Sequence, residues 1–203
     1  LPTPSTRSDE IVPTAPDQVA VENDLPAVVN SATIVDVKTD VLELSIDLRG
    51  GDVVQGALPA FPVAIDQPDN PYVIIDPRNN YTAQCGLIGK NGTDTGAGRP
   101  MFTSVKTNYE LGSAETLVVD LTLPEEAGVT ITKRFTFTRG DYLVQVDYLI
   151  DNRSGSVWQA AMFAQLKRDD ADPLLTEAPG MGLQPYVGGA TFGVDGPYEK
   201  LSF

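Results

Sequence analysis

The sequence predicts an all-β domain, a sandwich of two antiparallel sheets. Three observations carry this. Several stretches alternate between apolar and polar residues, the period of a half-buried strand whose successive side chains point to opposite faces. These stretches are short and separated by clusters of Gly, Pro, Asn and Asp, the residues that turns select. Neither a long amphipathic helical pattern nor an internal repeat interrupts them.

Residues 1–26 hold Pro2, Pro4, Pro13 and Pro16 among Ser, Thr, Asp and Glu. So few large apolar side chains cannot offset the entropy of ordering, which predicts a semi-extended, disordered linker. The folded domain is expected over 27–203. Its first strand is expected at Ala32 to Lys38 and its second at Val41 to Leu48, with Leu42, Leu44, Ile46 and Leu48 inward and Glu43, Ser45 and Asp47 outward. Arg49-Gly50-Gly51-Asp52 reads as a turn, after which Val53 to Gln55 resumes a strand. Leu58 to Pro71 carries four prolines and is expected to be a loop with at most a short edge segment.

Tyr72 to Ile75 and Tyr81 to Cys85 read as short strands, Gly89 to Pro100 as a loop, and Phe102 to Lys106 and Leu117 to Leu123 as strands again. A long hairpin follows. Val129, Ile131, Phe135 and Phe137 share one face, Thr130, Thr132, Arg134 and Thr136 the other. Beyond Arg139-Gly140-Asp141 the period resumes at Tyr142, Val144, Val146, Tyr148 and Ile150. Val157 to Lys167 has helix-forming alanines but lies between turn signals, and is expected to be a strand.

The 203 residues include 28 acidic and 14 basic side chains, a net charge of −14. That balance excludes nucleic acid as a partner, since phosphate binding needs clustered Lys and Arg. It also disfavours an anionic lipid surface. No apolar run reaches the roughly 20 residues that span a bilayer. No signal-peptide pattern opens the chain. A first residue other than Met and an end at Tyr-Glu-Lys-Leu-Ser-Phe read as a piece cut from a longer protein.

Zero histidines remove the commonest general base and metal ligand, so a Ser-His-Asp triad and an ordinary zinc site are impossible. Cys85, the only cysteine, has no histidine to activate it. No catalytic residue, cofactor or metal is expected. Gly86 to Asn91 is too short for a phosphate loop. Asp169, Asp170 and Asp172 read as a solvated turn rather than a calcium loop. Arg139-Gly140-Asp141 reads as a hairpin turn, not an integrin ligand. Partner-binding candidates are the aromatics of the last third, Trp158, Tyr186, Phe192 and Tyr198, where rigid rings among glycines can anchor a contact.

An ordered set of motifs resembles a known family. Leu48-Arg49-Gly50-Gly51-Asp52-Val53 and Leu58-Pro59-Ala60-Phe61-Pro62 are followed by Tyr81-Thr82-Ala83-Gln84 and Gly98-Arg99-Pro100. Then come Phe135 through Tyr148, Phe163-Ala164-Gln165-Leu166-Lys167, and Tyr198-Glu199-Lys200. Together these resemble the large periplasmic domain of the YidC membrane-protein insertases of Gram-negative bacteria.

The resemblance implies a β-supersandwich of galactose-mutarotase-like topology, cut short here because the family domain continues past Phe203. It implies the periplasmic face of the inner membrane, with attachment through transmembrane segments absent from this chain. It further implies a non-catalytic docking or scaffold domain for Sec translocon accessory subunits, with nascent membrane proteins as further partners. In the family that contact belongs to the later part of the domain, here Asn152 to Phe203. A carbohydrate- or peptide-binding module using a cleft of the sandwich is the alternative.

Overall fold

The computed structural model describes residues 33–169, 188–193 and 196–201. The linker expected over 1–26 lies outside them. Twelve strands are present in this part: β1 (Ile34–Lys38), β2 (Glu43–Asp47), β3 (Asp52–Pro62), β4 (Pro71–Ile75), β5 (Thr82–Ile88), β6 (Asn108–Glu110), β7 (Thr116–Thr122), β8 (Val129–Thr138), β9 (Val144–Asn152), β10 (Ala161–Lys167), β11 (Gly189–Gly193) and β12 (Gly196–Leu201). A seven-stranded sheet runs β10-β5-β3-β2-β1-β6, with β4 also on β3; β7-β8-β9 form a second sheet, and β11 pairs with β12. The expected all-β, sandwich-like architecture is present. One pair departs from the antiparallel expectation, because β6 joins β1 in parallel, Val37 opposite Tyr109.

The alternation sets the packing. Val35 and Val37 of β1 and Leu42, Leu44 and Ile46 on or beside β2 bury against Val119 and Leu121 of β7 and Phe135 and Phe137 of β8. Each such side chain contributes about 1.5–3 kcal/mol when fully buried. In β8 the odd positions from Ile131 to Phe137 point inward, the even ones from Thr132 to Thr136 less so. Lys133 lies on the inward parity and is fully buried. Val157 to Lys167 yields strand β10, not a helix.

Two expectations are corrected. Residues 58–62 belong to β3 rather than to a loop. Beyond Ala57, β3 leaves β2 and pairs with β4 alone, across a register break between Leu58 and Pro62. Pro59 and Pro62 therefore sit on an arm with a single strand neighbour, where a missing N–H is tolerated. Phe102 to Lys106 is not a strand. Within it Thr103 makes a single bridge to Thr122, just after Met101 bridges Arg49. Phe102 plugs the core between those bridges, its N–H donating to the Leu48 carbonyl at 2.8 Å. The segment thus staples the two sheets, and regular pairing resumes only at β6.

The tip of the β8–β9 hairpin is pinned. Arg139 donates to the Ala114 carbonyl at 2.8 Å, and the Gly140 N–H donates to Asp40 at 2.9 Å. Arg139-Gly140-Asp141 is thus a turn, as expected, with its arginine engaged internally.

Candidate functional site

Between the sheets lies a sealed polar cluster drawn from distant turns and strands. The tight turn after β2 needs Gly50 and Gly51 in the left-handed region, φ +73° and +62°. Their carbonyls point inward. Lys133, carried in by the alternation of β8, donates to the Gly50 and Gly51 carbonyls at 2.9 and 2.7 Å and to the Cys85 carbonyl at 2.9 Å. Tyr148 of β9 donates to the same Cys85 oxygen at 3.0 Å.

Arg99, at the end of the loop after β5, forks between Asp52 and Asp94. Asp94 also accepts the Leu87 N–H at 2.7 Å, and Asp52 accepts from Gln84 at 2.8 Å. The Arg99 and Asp94 side chains are each 1% exposed. Two cations thus balance two carboxylates out of water, the condition under which buried charges are tolerated.

Burial shifts these groups. Desolvation, first, raises Asp52, against the pull of Arg99 and Lys133. Desolvation lowers Lys133 below its ordinary 10.5, opposed by its polar neighbours. Burial works against the charge of Arg99, but Asp52 and Asp94 outweigh it and hold the guanidinium protonated. Burial also pushes the Tyr148 phenol upward. A lysine, tyrosine, arginine and two carboxylates resemble the parts of a catalytic site. With the four charged side chains withdrawn from solvent and the phenol half-buried, their bonds tie turn, loop and sheets together.

The Gly86 to Asn91 stretch binds its own chain. The Leu87 N–H goes to Asp94, and the Asn91 N–H goes to the Gln159 carbonyl at 2.9 Å. Of the aspartates near the end of β10, Asp169 accepts from Asn80 at 3.0 Å, while Asp170 and Asp172 lie outside the described residues. Among the described residues no group of three or more His, Cys, Asp or Glu could hold a metal ion.

Tyr186 also lies outside the described residues. Trp158 precedes β10 and is half-buried. Phe192 on β11 and Tyr198 on β12 lie on one hairpin, 83% and 58% exposed. Thr191 faces Glu199 and Gly193 faces Gly196, so one residue of β11 opposes two of β12. That irregularity holds Phe192 and Tyr198, and Tyr198 adopts φ +32°, a conformation uncommon for a bulky residue. Sequence reasoning missed Asp52, Asp94, Arg99, Lys133 and Tyr148 as a unit. The available signal was parity, since Lys133 falls between Ile131 and Phe135 on the inward face.

The chain matches the family model described as YidC periplasmic domain over residues 34–203. It is 40% identical to the membrane protein insertase YidC of Alcanivorax borkumensis, covering 100% of this chain and 36% of that protein. The corresponding protein of Cellvibrio japonicus is 44% identical, over 95% of this chain and 34% of its own length. That of Pseudomonas fluorescens is 46% identical, over 96% and 35%. The chain therefore spans about a third of the length of these relatives. The matched region is the part on the periplasmic face of the bacterial inner membrane. With the family model covering every described strand, the chain belongs to the YidC periplasmic domain family.

Proposed function

We propose that this domain is a non-catalytic docking surface of a membrane-protein insertase, and that its segment from Asn152 to Phe203 engages accessory subunits of the Sec translocon. The relatives bear the name insertase, and this chain would serve that activity from the periplasmic side. The observation that carries the reading is the β11–β12 hairpin, each strand of which leaves one large aromatic, Phe192 or Tyr198, open to solvent. Large exposed aromatics act as anchors in protein interfaces. The solvent-excluded Lys133–Arg99–Asp52–Asp94 cluster supports a non-catalytic role, because no substrate reaches its charges.

The test is co-purification from membranes of the full-length insertase containing this chain. Phe192→Ser with Tyr198→Ser should reduce recovery of the translocon's accessory subunits while the insertase level stays unchanged. Undiminished recovery would overturn the assignment of the hairpin.

A further inference from the structure

A second surface, away from that segment in sequence, joins the two sheets at their connections. Phe61 lies on the outer arm of β3 and Tyr142 in the β8–β9 connection. Their ring centroids are 6.3 Å apart at an interplanar angle of 52°, a tilted aromatic pair. Both rings remain open, Phe61 at 52% and Tyr142 at 47% exposure. Beside Tyr142, Leu143 is 70% exposed; beyond Phe61, Ile65 is 99% exposed. Exposed side chains of this size, on the end of β3 and on the connections beside it, form the kind of apolar patch that a partner covers.

The charges of these segments are mostly acidic. The β3–β4 connection contributes Asp66 and Asp69, and the hairpin tip contributes Asp141, with Asp40 held against the Gly140 N–H. Residues 61–70 and 138–143 contain a single cation, Arg139. Its guanidinium is engaged by the Ala114 carbonyl and sits near Asp40 and Glu115.

We infer that the Phe61–Tyr142 surface binds a polypeptide segment whose apolar side chains are flanked by lysine or arginine. The aromatic pair with Leu143 and Ile65 would take the apolar side chains, and the surrounding carboxylates would meet the cations. Charge argues against the other occupants. A second copy brings another net −14, and an anionic bilayer repels both the aspartates and the chain as a whole.

The experiment titrates this chain against a dye-labelled amphipathic peptide of leucine and lysine, with a leucine–glutamate peptide as control, and reads anisotropy. The lysine peptide should bind and the glutamate peptide should not, and added salt should weaken the complex. Phe61→Ser with Leu143→Ser should weaken it by roughly tenfold, the scale of losing an anchor residue. Asp66→Asn with Asp141→Asn should weaken it and flatten its salt dependence. Thermal melts matching the parent confirm that each variant is folded. Should the serine pair not fold, Ile65→Ser alone, on the most exposed of these side chains, takes its place and should weaken binding in the same direction. Equal binding of both peptides, or binding that ignores these substitutions, overturns the inference. So does stronger partition of the chain onto phosphatidylcholine vesicles than onto the lysine peptide.

Discussion

Lys133 and Tyr148, on neighbouring strands of the three-stranded sheet, donate to one oxygen, the Cys85 carbonyl, from 2.9 and 3.0 Å. The two bonds tie β8 and β9 to β5 of the other sheet, yet they differ in weight. Removing the phenol with Tyr148→Phe leaves that carbonyl with Lys133 and Arg99, and should cost about 1 kcal/mol, a typical neutral hydrogen bond. Lys133→Ala strips three carbonyls of a charged donor and unbalances the carboxylates. It should cost about 3–5 kcal/mol, the scale of breaking a buried ionic group. Urea unfolding of the two variants measures this, and a larger loss for Tyr148→Phe would refute it.

Arg99 meets Asp94 through Nη1 and Asp52 through Nη2, two nitrogens held apart in one plane, a spread that the compact ammonium of lysine does not reproduce. Arg99→Lys should therefore destabilise by about 2 kcal/mol or more although the charge is kept. Arg99→Ala and Asp94→Ala should be non-additive by about 1–3 kcal/mol, because each removes the other's partner. An additive double-mutant cycle would show that the pair does not act as a unit.

Two glycines of similar conformation should respond differently to alanine. At Gly140, φ +70°, an added Cβ meets nothing within 4 Å, so Gly140→Ala should cost only the left-handed strain of about 1–2 kcal/mol. At Gly50, φ +73°, the same atom would run into the Arg99 guanidinium. Gly50→Ala should be clearly the worse variant in thermal melts, because it displaces the cation as well as straining the turn.

Acid should weaken the domain through Asp76. A hydrogen bond from the Arg78 side chain, first, holds this carboxyl below its ordinary 3.8. The unfolded chain then binds the proton more readily, so the stabilisation is complete above 3.8 and is lost as pH falls through the lower, folded value. Asp76→Asn should flatten stability against pH in that interval and leave its slope near neutrality unchanged. An unaltered acid limb would disprove the assignment.

Much of the sandwich was legible because alternation is local. Leu42, just before β2, and Leu44 and Ile46 within it point inward as their spacing requires, and the Val129 to Ile150 hairpin forms with its turn at Gly140. The sealed cluster was not legible as a unit. Asp52 and Arg99 sit in segments that read as turn and loop, where charge ordinarily means solvent, and their contact spans 47 positions. Lys133 was written in the inward parity, but a lysine there looks like an exception until three carbonyls are seen to receive it. Of the candidate aromatics, Phe192 and Tyr198 lie on a hairpin whose irregular register no local pattern encodes. The tail of β3 was hidden by its prolines.

The reach of Lys133 back across 83 positions to Gly50 sets an order of events. A chain emerging with its N-terminal end first exposes the glycine turn and Asp52 long before the ammonium that must settle on them arrives. Until then the early strands have no lid, and their carboxylates stay hydrated. Contacts between residues so far apart in sequence form slowly, because the entropy of closing the loop is lost before they add any stability. A nascent chain halted before residue 133 should remain digestible by protease, whereas one released beyond the β8–β9 hairpin should become resistant over the stretch from β1 to β9.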